Sequence, residues 1–192
     1  GDWSTKHHSI LGNLGWRVSG STVGIFGLGN IGKEVIKKLQ GFNIKSFLYN
    51  SRSKKSKEEE LSAKFVSFDE LLRNSDFIII TCSLNADTKE IFNKDAFSKM
   101  KENAIVINVS RGGVIDQDAL IDALKSGRIR AAGLDVMTPE PLPLGHPLLS
   151  TPNLTILPHI GTAELKTRTE MAMMCANNII AALKDEKMPG EL

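Results

Sequence analysis

Three glycines in the spacing Gly-x-Gly-x-x-Gly, at Gly27, Gly29 and Gly32, constrain this chain more than any other feature. They follow a β-branched run at 22–26 and open a stretch at 31–39 that carries Val35, Ile36 and Leu39 at helical spacing. Strand, glycine loop and helix in that order form a dinucleotide-binding unit. Gly27 permits the tight turn, Gly29 lets the backbone approach a pyrophosphate, and Gly32 lets the helix pack close to the strand. Amides near Asn30 and Ile31 then face the phosphates at the positive end of the helix.

Beyond the loop, short β-branched runs alternate with helical stretches. Strands are expected at 22–26, 46–49, 65–66, 77–81, 104–109, 131–136 and 154–157, and helices at 31–39, 68–72, 94–100, 117–125 and 164–183. Ser67 and Glu70 have capping-box spacing, and Asp116 is placed to cap the helix that ends at Gly127. The runs 77–81 and 105–109 are apolar without alternation, which predicts helices over both faces of the sheet. The fold class is therefore α/β, a doubly wound parallel sheet of the Rossmann type, with ligands at the carboxyl ends of the strands. Residues 1–20 read as an arm or linker, 21–163 as the dinucleotide-binding domain, and 164–192 as a C-terminal helix.

Composition excludes several partners. A net charge of +2 over 192 residues implies neither nucleic acid nor an anionic membrane, because the cations are scattered except at 52–57, where Glu58, Glu59 and Glu60 offset them. No apolar run approaches the roughly 20 residues of a membrane span. Cys82, placed in an expected buried strand, and Cys175, in a late helix, read as free thiols, so a reducing, cytoplasmic compartment is expected and a metal site is not.

An acid would be expected about 20 positions past the glycine loop, to accept a ribose 2′-hydroxyl. Asn50 stands there instead, followed by Ser51, Arg52 and Ser53, with Lys54, Lys55 and Lys57 behind them. A carboxylate would repel a 2′-phosphate, whereas hydroxyls and a guanidinium bind one. NADP is favoured over NAD, although the three lysines also fit a solvated charged loop.

Three polar groups follow expected strands: Arg111 before Gly112 and Gly113, Glu140 between Pro139 and Pro141, and His159 after Pro158. Together they suit reduction of a 2-keto acid. The guanidinium holds the carboxylate and polarises the keto oxygen, the imidazole gives that oxygen a proton, and the carboxylate favours the charged imidazole. Arg111 could be a surface residue, but Ser110 and the paired glycines favour a ligand-facing loop, whereas Glu140 alone would read as an exposed loop carboxylate. Asp135 either accepts a hydrogen bond from a nicotinamide carboxamide or caps a turn. His7, His8 and His146 are given no chemistry.

The glycine loop, residues 108–112, 132–136 with Glu140 and Pro141, and 158–161 resemble the D-2-hydroxyacid dehydrogenase family, and the likeness covers essentially the whole chain. The resemblance implies Arg111 as substrate binder, Glu140 as partner of the histidine, and His159 as general acid/base. It implies cofactor contacts from Gly29 to Ile31, around Arg52, and at Ser83, Val109, Asp135 and Gly161. It also implies NADPH-dependent reduction of glyoxylate and hydroxypyruvate, a substrate-binding domain largely missing from this chain, and a small-molecule 2-keto acid as partner. A homodimer through the dinucleotide-binding domain is expected, since Trp3, Ile10, Leu11, Leu14 and Trp16 would otherwise leave apolar surface on a bare arm. Two alternatives remain: another 2-keto acid, or a nicotinamide-sensing co-repressor on the same fold, which would prefer NADH.

Overall fold

The computed structural model describes residues 15–190, Glu58 without its side chain. Trp3, Ile10, Leu11 and Leu14, on which the expected subunit contact mostly rests, lie outside the described residues. Two compact units divide the chain, Gly1–Leu157 and Pro158–Leu192.

Among its described residues the first unit holds seven strands, β1 (Thr22–Phe26), β2 (Ser46–Asn50), β3 (Lys64–Phe65), β4 (Phe77–Ile80), β5 (Ile105–Asn108), β6 (Ala131–Leu134) and β7 (Leu154–Ile156). All pair in parallel, in the order β3-β2-β1-β4-β5-β6-β7. The chain winds outward from β1 to β3, then returns to β1's other side with β4. Loops after β1 and β4 therefore diverge, opening a crevice at the carboxyl end of the sheet. The expected doubly wound sheet is thus borne out.

Five helices join these strands: α1 (Asn30–Leu39), α2 (Lys57–Glu60), α3 (Phe68–Asn74), α4 (Lys94–Lys99) and α5 (Gln117–Lys125). Ser67 caps α3 in the expected capping box with Glu70, and the Asp116 side chain accepts the Ala119 amide at the start of α5. On one face, Val23, Ile25, Phe47 and Tyr49 pack with Leu28 and with Ile36 of α1. On the other, Phe26, Ile78, Ile80, Val106 and Leu134 pack with buried side chains of α3, α4 and α5. There Phe26, Phe68 and Phe92 form a three-ring cluster with centroids 5.1–5.4 Å apart. Gly24 makes room for close packing beneath α3, since a Cβ at that position would overlap Ser75 Oγ.

Three expectations need correction. Lys57, which also fitted a solvated charged loop, begins a helix: Ser56 and Glu59 form a second capping box that starts α2, a Ser-x-x-Glu signal hidden within a charge run. Residues 77–80 and 105–108 are not equally covered on both faces. Ile78, Ile80 and Val106 are fully buried, but Phe77, Ile79, Ile105 and Ile107 are only half-buried, because three helices pack on one side while α1 lies over β1 and β2. Cys82 lies beyond the end of β4 and is half-buried.

The second unit contains α6 (Leu165–Leu183), within one residue of the expected helix. Glu164 caps it, accepting the amides of Lys166 at 2.8 Å and Thr167 at 2.7 Å.

Asp76 ties three segments of the first unit together. Its carboxylate accepts the Thr22 amide at the start of β1 and Lys101 Nζ beyond α4, each at 2.8 Å. Burial alone would raise its pKa, but the hydrogen bonds from Lys101 and the Thr22 amide outweigh burial and leave it below the ordinary 3.8. A depressed folded pKa means stability that is full above the unfolded value and lost as pH falls through the folded one. The urea midpoint should therefore fall as pH drops below about 4, and Asp76→Asn should flatten part of that fall. An acid limb identical in the two proteins would show that Asp76 is not a source of it.

Candidate functional site

Three glycines set the floor of the crevice, and the space around them differs. Gly27 takes φ +101°, and a Cβ on it would lie 2.6 Å from the Cys82 amide nitrogen. A Cβ on Gly32 would lie 2.6 Å from the Gly27 carbonyl oxygen and 3.0 Å from both Ile25 and Thr81. Gly29 differs, for a Cβ there would meet nothing within 4 Å. The first and third glycines serve the fold, and the middle one borders open space. No side chain caps α1 at Gly29, its first turn carries no acid, and Asn30 and Ile31 are exposed. The positive end of the helix thus faces the crevice bare, as a pyrophosphate requires. These residues fit a dinucleotide.

A cavity of about 480 Å³ runs from Gly27 and Gly29 to Asn50, Ser51, Arg52, Ser53 and Lys55 on one side and to Ser83 on the other. Arg52 and Lys55 line it, and the carboxylate among its lining is Asp87, on the loop after β4. Asn50 spends its amide on the Val66 carbonyl at 2.8 Å. Ser51 donates to the Ser53 carbonyl at 2.7 Å, which folds the loop on itself and leaves Arg52 and Ser53 exposed. Cys82 also lines this cavity, and burial pushes its thiol up to about 11, so it stays protonated and is a poor nucleophile.

Arg111 and Glu140 stand on loops that touch. Arg111 is exposed just past β5, its Nη1 donating to the Ser110 carbonyl at 2.7 Å. Asn108, fully buried, shapes that loop: its side-chain oxygen accepts the Ser110 amide at 3.0 Å and its amide donates to the Arg111 carbonyl at 2.9 Å. Gly112 then packs so closely on the loop after β6 that a Cβ would overlap the Met137 carbonyl. On that second loop, Glu140 is exposed and accepts the Met137 amide at 2.9 Å. Gln117 clamps the same loop from α5, donating to the Thr138 carbonyl at 2.6 Å and accepting its amide at 2.8 Å. Asp135 is buried at the start of this loop, and Val109 is partly exposed beside Arg111.

His159 and Gly161 belong to the second unit, and both are exposed. His159 adopts φ 55°, a left-handed conformation that is uncommon outside glycine and that clusters at functional sites. Of the predicted residues, then, the first unit brings together the glycine loop with Ser51–Ser53 and Ser83, and separately seats the loop of Arg111 on the loop of Glu140. Asn108 and Gln117 were not assigned from the sequence. Their roles depend on loop partners, which for Gln117 lie 21 residues away.

Comparison with known proteins gives one consistent answer. Residues 1–161 match the family model described as D-isomer specific 2-hydroxyacid dehydrogenase, NAD binding domain. The chain is 50% identical over 193 residues to a glyoxylate reductase/hydroxypyruvate reductase of Mus musculus, covering all of this chain and 58% of that protein. The human protein of that name is 51% identical over 179 residues, covering 93% of this chain and 55% of that protein. A solved glyoxylate reductase from Paecilomyes thermophila superposes with a TM-score of 0.85 at 40% identity, covering 94% of this chain and 53% of that one. The chain thus spans little more than half the length of the curated relatives it matches.

The contrasting surroundings of the glycines make a direct test. Gly32→Ala should cost about 1–3 kcal/mol of stability, because its Cβ has nowhere to go. Gly29→Ala should cost less than about 1 kcal/mol, the difference between glycine and alanine at a helix cap, yet weaken dinucleotide binding. Urea unfolding and a cofactor titration on both variants would decide. Unchanged stability for Gly32→Ala, or full cofactor affinity for Gly29→Ala, would reverse these roles.

Proposed function

The chain belongs to the D-isomer specific 2-hydroxyacid dehydrogenase family, and from that premise we propose that the whole protein reduces glyoxylate and hydroxypyruvate to the 2-hydroxy acids with NADPH. The observation that carries the chemistry is the seating of the Arg111 loop on the Glu140 loop through Gly112. Support for the substrate comes from the names of the mouse and human relatives. For NADPH over NADH, support comes from the neutral Asn50 in place of an acid and from Arg52 and Lys55 lining the cavity.

The nicotinamide, when bound, supplies the hydride. Arg111 binds the substrate carboxylate and draws electron density towards the keto oxygen, with the geometric specificity a planar guanidinium gives. His159 donates the proton that this oxygen takes up as the carbonyl π bond breaks. Glu140, on the loop seated against that of Arg111, is the carboxylate that the family resemblance pairs with this histidine to favour its charged form. Asn108 and Gln117 act through their neighbours, holding the Arg111 and Glu140 loops in place before substrate arrives.

Steady-state kinetics on the full-length protein test this reading with each keto acid and each cofactor. Arg111→Ala should raise KM for the keto acid roughly ten- to a hundredfold, the loss of a charge-assisted contact, while NADPH affinity stays within about twofold. His159→Gln should lower kcat at every pH. A KM unmoved by Arg111→Ala would remove the guanidinium from substrate binding and end the proposal.

A further inference from the structure

The segment 51–55, proposed above to meet a 2′-phosphate, is short, polar and without proline or glycine, so its own sequence gives it no fixed shape. It is nevertheless pinned at both ends. At its start Asn50 donates to the Val66 carbonyl at 2.8 Å. At its end the Lys55 amide donates to the Tyr49 hydroxyl at 2.9 Å, and that hydroxyl donates to Glu60 Oε1 at 2.8 Å. Tyr49 is fully buried, and its ring packs on Phe65 with centroids 5.3 Å apart, so the hydroxyl is a fixed post rather than a mobile one. Burial raises the phenol's pKa against the lowering effect of the Lys55 amide, and Glu60 raises it further, which keeps the donating proton in place.

Behind this post stands α2. Ser56 and Glu59 cap it, and Glu59 pairs with Lys33 of α1 at 2.6 Å. The loop is thereby tied to the helix whose bare end faces the pyrophosphate position. The same ties engage two carboxylates. Glu59 and Glu60 follow the cationic loop within a few residues and would repel a phosphate dianion if they faced it. Glu59 is engaged by Lys33 and Glu60 by the phenol, and neither lines the cavity that Arg52 and Lys55 enter.

We propose that Tyr49, backed by Glu60 and the Lys33–Glu59 pair, is the positioning residue that sets preference for a 2′-phosphorylated adenosine. Its buried hydroxyl fixes the Lys55 backbone so that the hydroxyls and cations of the loop stand ready to converge on a phosphate monoester. A loop shaped in advance avoids the ordering cost that binding would otherwise carry, and only a ligand that bears the phosphate gains from it. The inference rests on the NADPH reading given above.

Calorimetric titration of the full-length protein with 2′,5′-ADP and with 5′-AMP reads the effect without any turnover. The unmodified protein should bind 2′,5′-ADP more tightly, and Tyr49→Phe should cut that ratio about tenfold while 5′-AMP affinity stays within about twofold. Glu60→Ala, which removes a partner of the hydroxyl without opening the core, should cut the ratio by about threefold, and it decides the matter if Tyr49→Phe does not fold. Glu60→Gln, whose amide oxygen still accepts, should restore the ratio. A ratio unchanged in Tyr49→Phe and Glu60→Ala overturns the proposal, as does an equal loss for both ligands, which would mark a merely structural role. No discrimination in the unmodified protein would instead remove the NADPH reading beneath it.

Discussion

The close approach of backbone to backbone in the crevice, between Gly27 and Gly32, is what the rest of the site depends on. The Gly27 carbonyl accepts Thr81 Oγ1 at 2.6 Å, and the same oxygen would lie 2.6 Å from any Cβ on Gly32. One peptide group therefore fixes α1 against β1 and β1 against the end of β4. These are the elements on either side of the point where the strand order reverses. A wider contact would swing the start of α1 away from the crevice, and the uncapped amides at Gly29 would face elsewhere. Burial could not supply this on its own, because apolar packing is non-directional and leaves the register of helix on strand underdetermined.

Further along the carboxyl edge, polar contacts do what glycines do at β1. Asn108 uses both ends of its amide on the turn that carries Arg111, and Gln117 does the same on the backbone N–H and C=O of Thr138. A side-chain amide can satisfy a donor and an acceptor at once, as a neighbouring strand would. Loops that leave a sheet lose those strand partners, and an unpaired buried peptide group is costly. Replacing the lost partners with amides lets loops of irregular shape stay ordered while Arg111 and Glu140 remain exposed residues.

This division also explains how much could be read from residues alone. The strands were legible because short β-branched runs between helical stretches have few other readings, and β1 agrees to the residue. The glycine loop was legible because its spacing answers to a single geometry. α2 was not, since Lys57–Glu60 has no apolar face and its cap lay inside a charge run. Nor was the half-open side of β4 and β5: a continuous apolar run says that a strand is central, not how many helices follow to cover it. The clamp by Gln117 lies furthest from legibility. Its partner is a backbone group, which carries no residue identity and leaves no trace in the pattern.

Position 50 shows how a neutral residue can serve fold and recognition together. An acid there would place a charge at the end of β2, where Asn50 instead reaches the Val66 carbonyl with a donor that a carboxylate lacks. Asn50→Asp would supply an acceptor for a ribose hydroxyl, but it would leave that carbonyl without its side-chain donor and set a negative charge beside it. The bond thus ties the junction between β2 and β3 to the same amide that keeps the crevice free of a carboxylate at this point. Under the proposed preference for a 2′-phosphate, the two demands coincide: the choice that closes the strand end is also the one that does not repel the phosphate. Changing the cofactor preference would then take more than a new charge at residue 50, because the strand end would need another donor for Val66 as well.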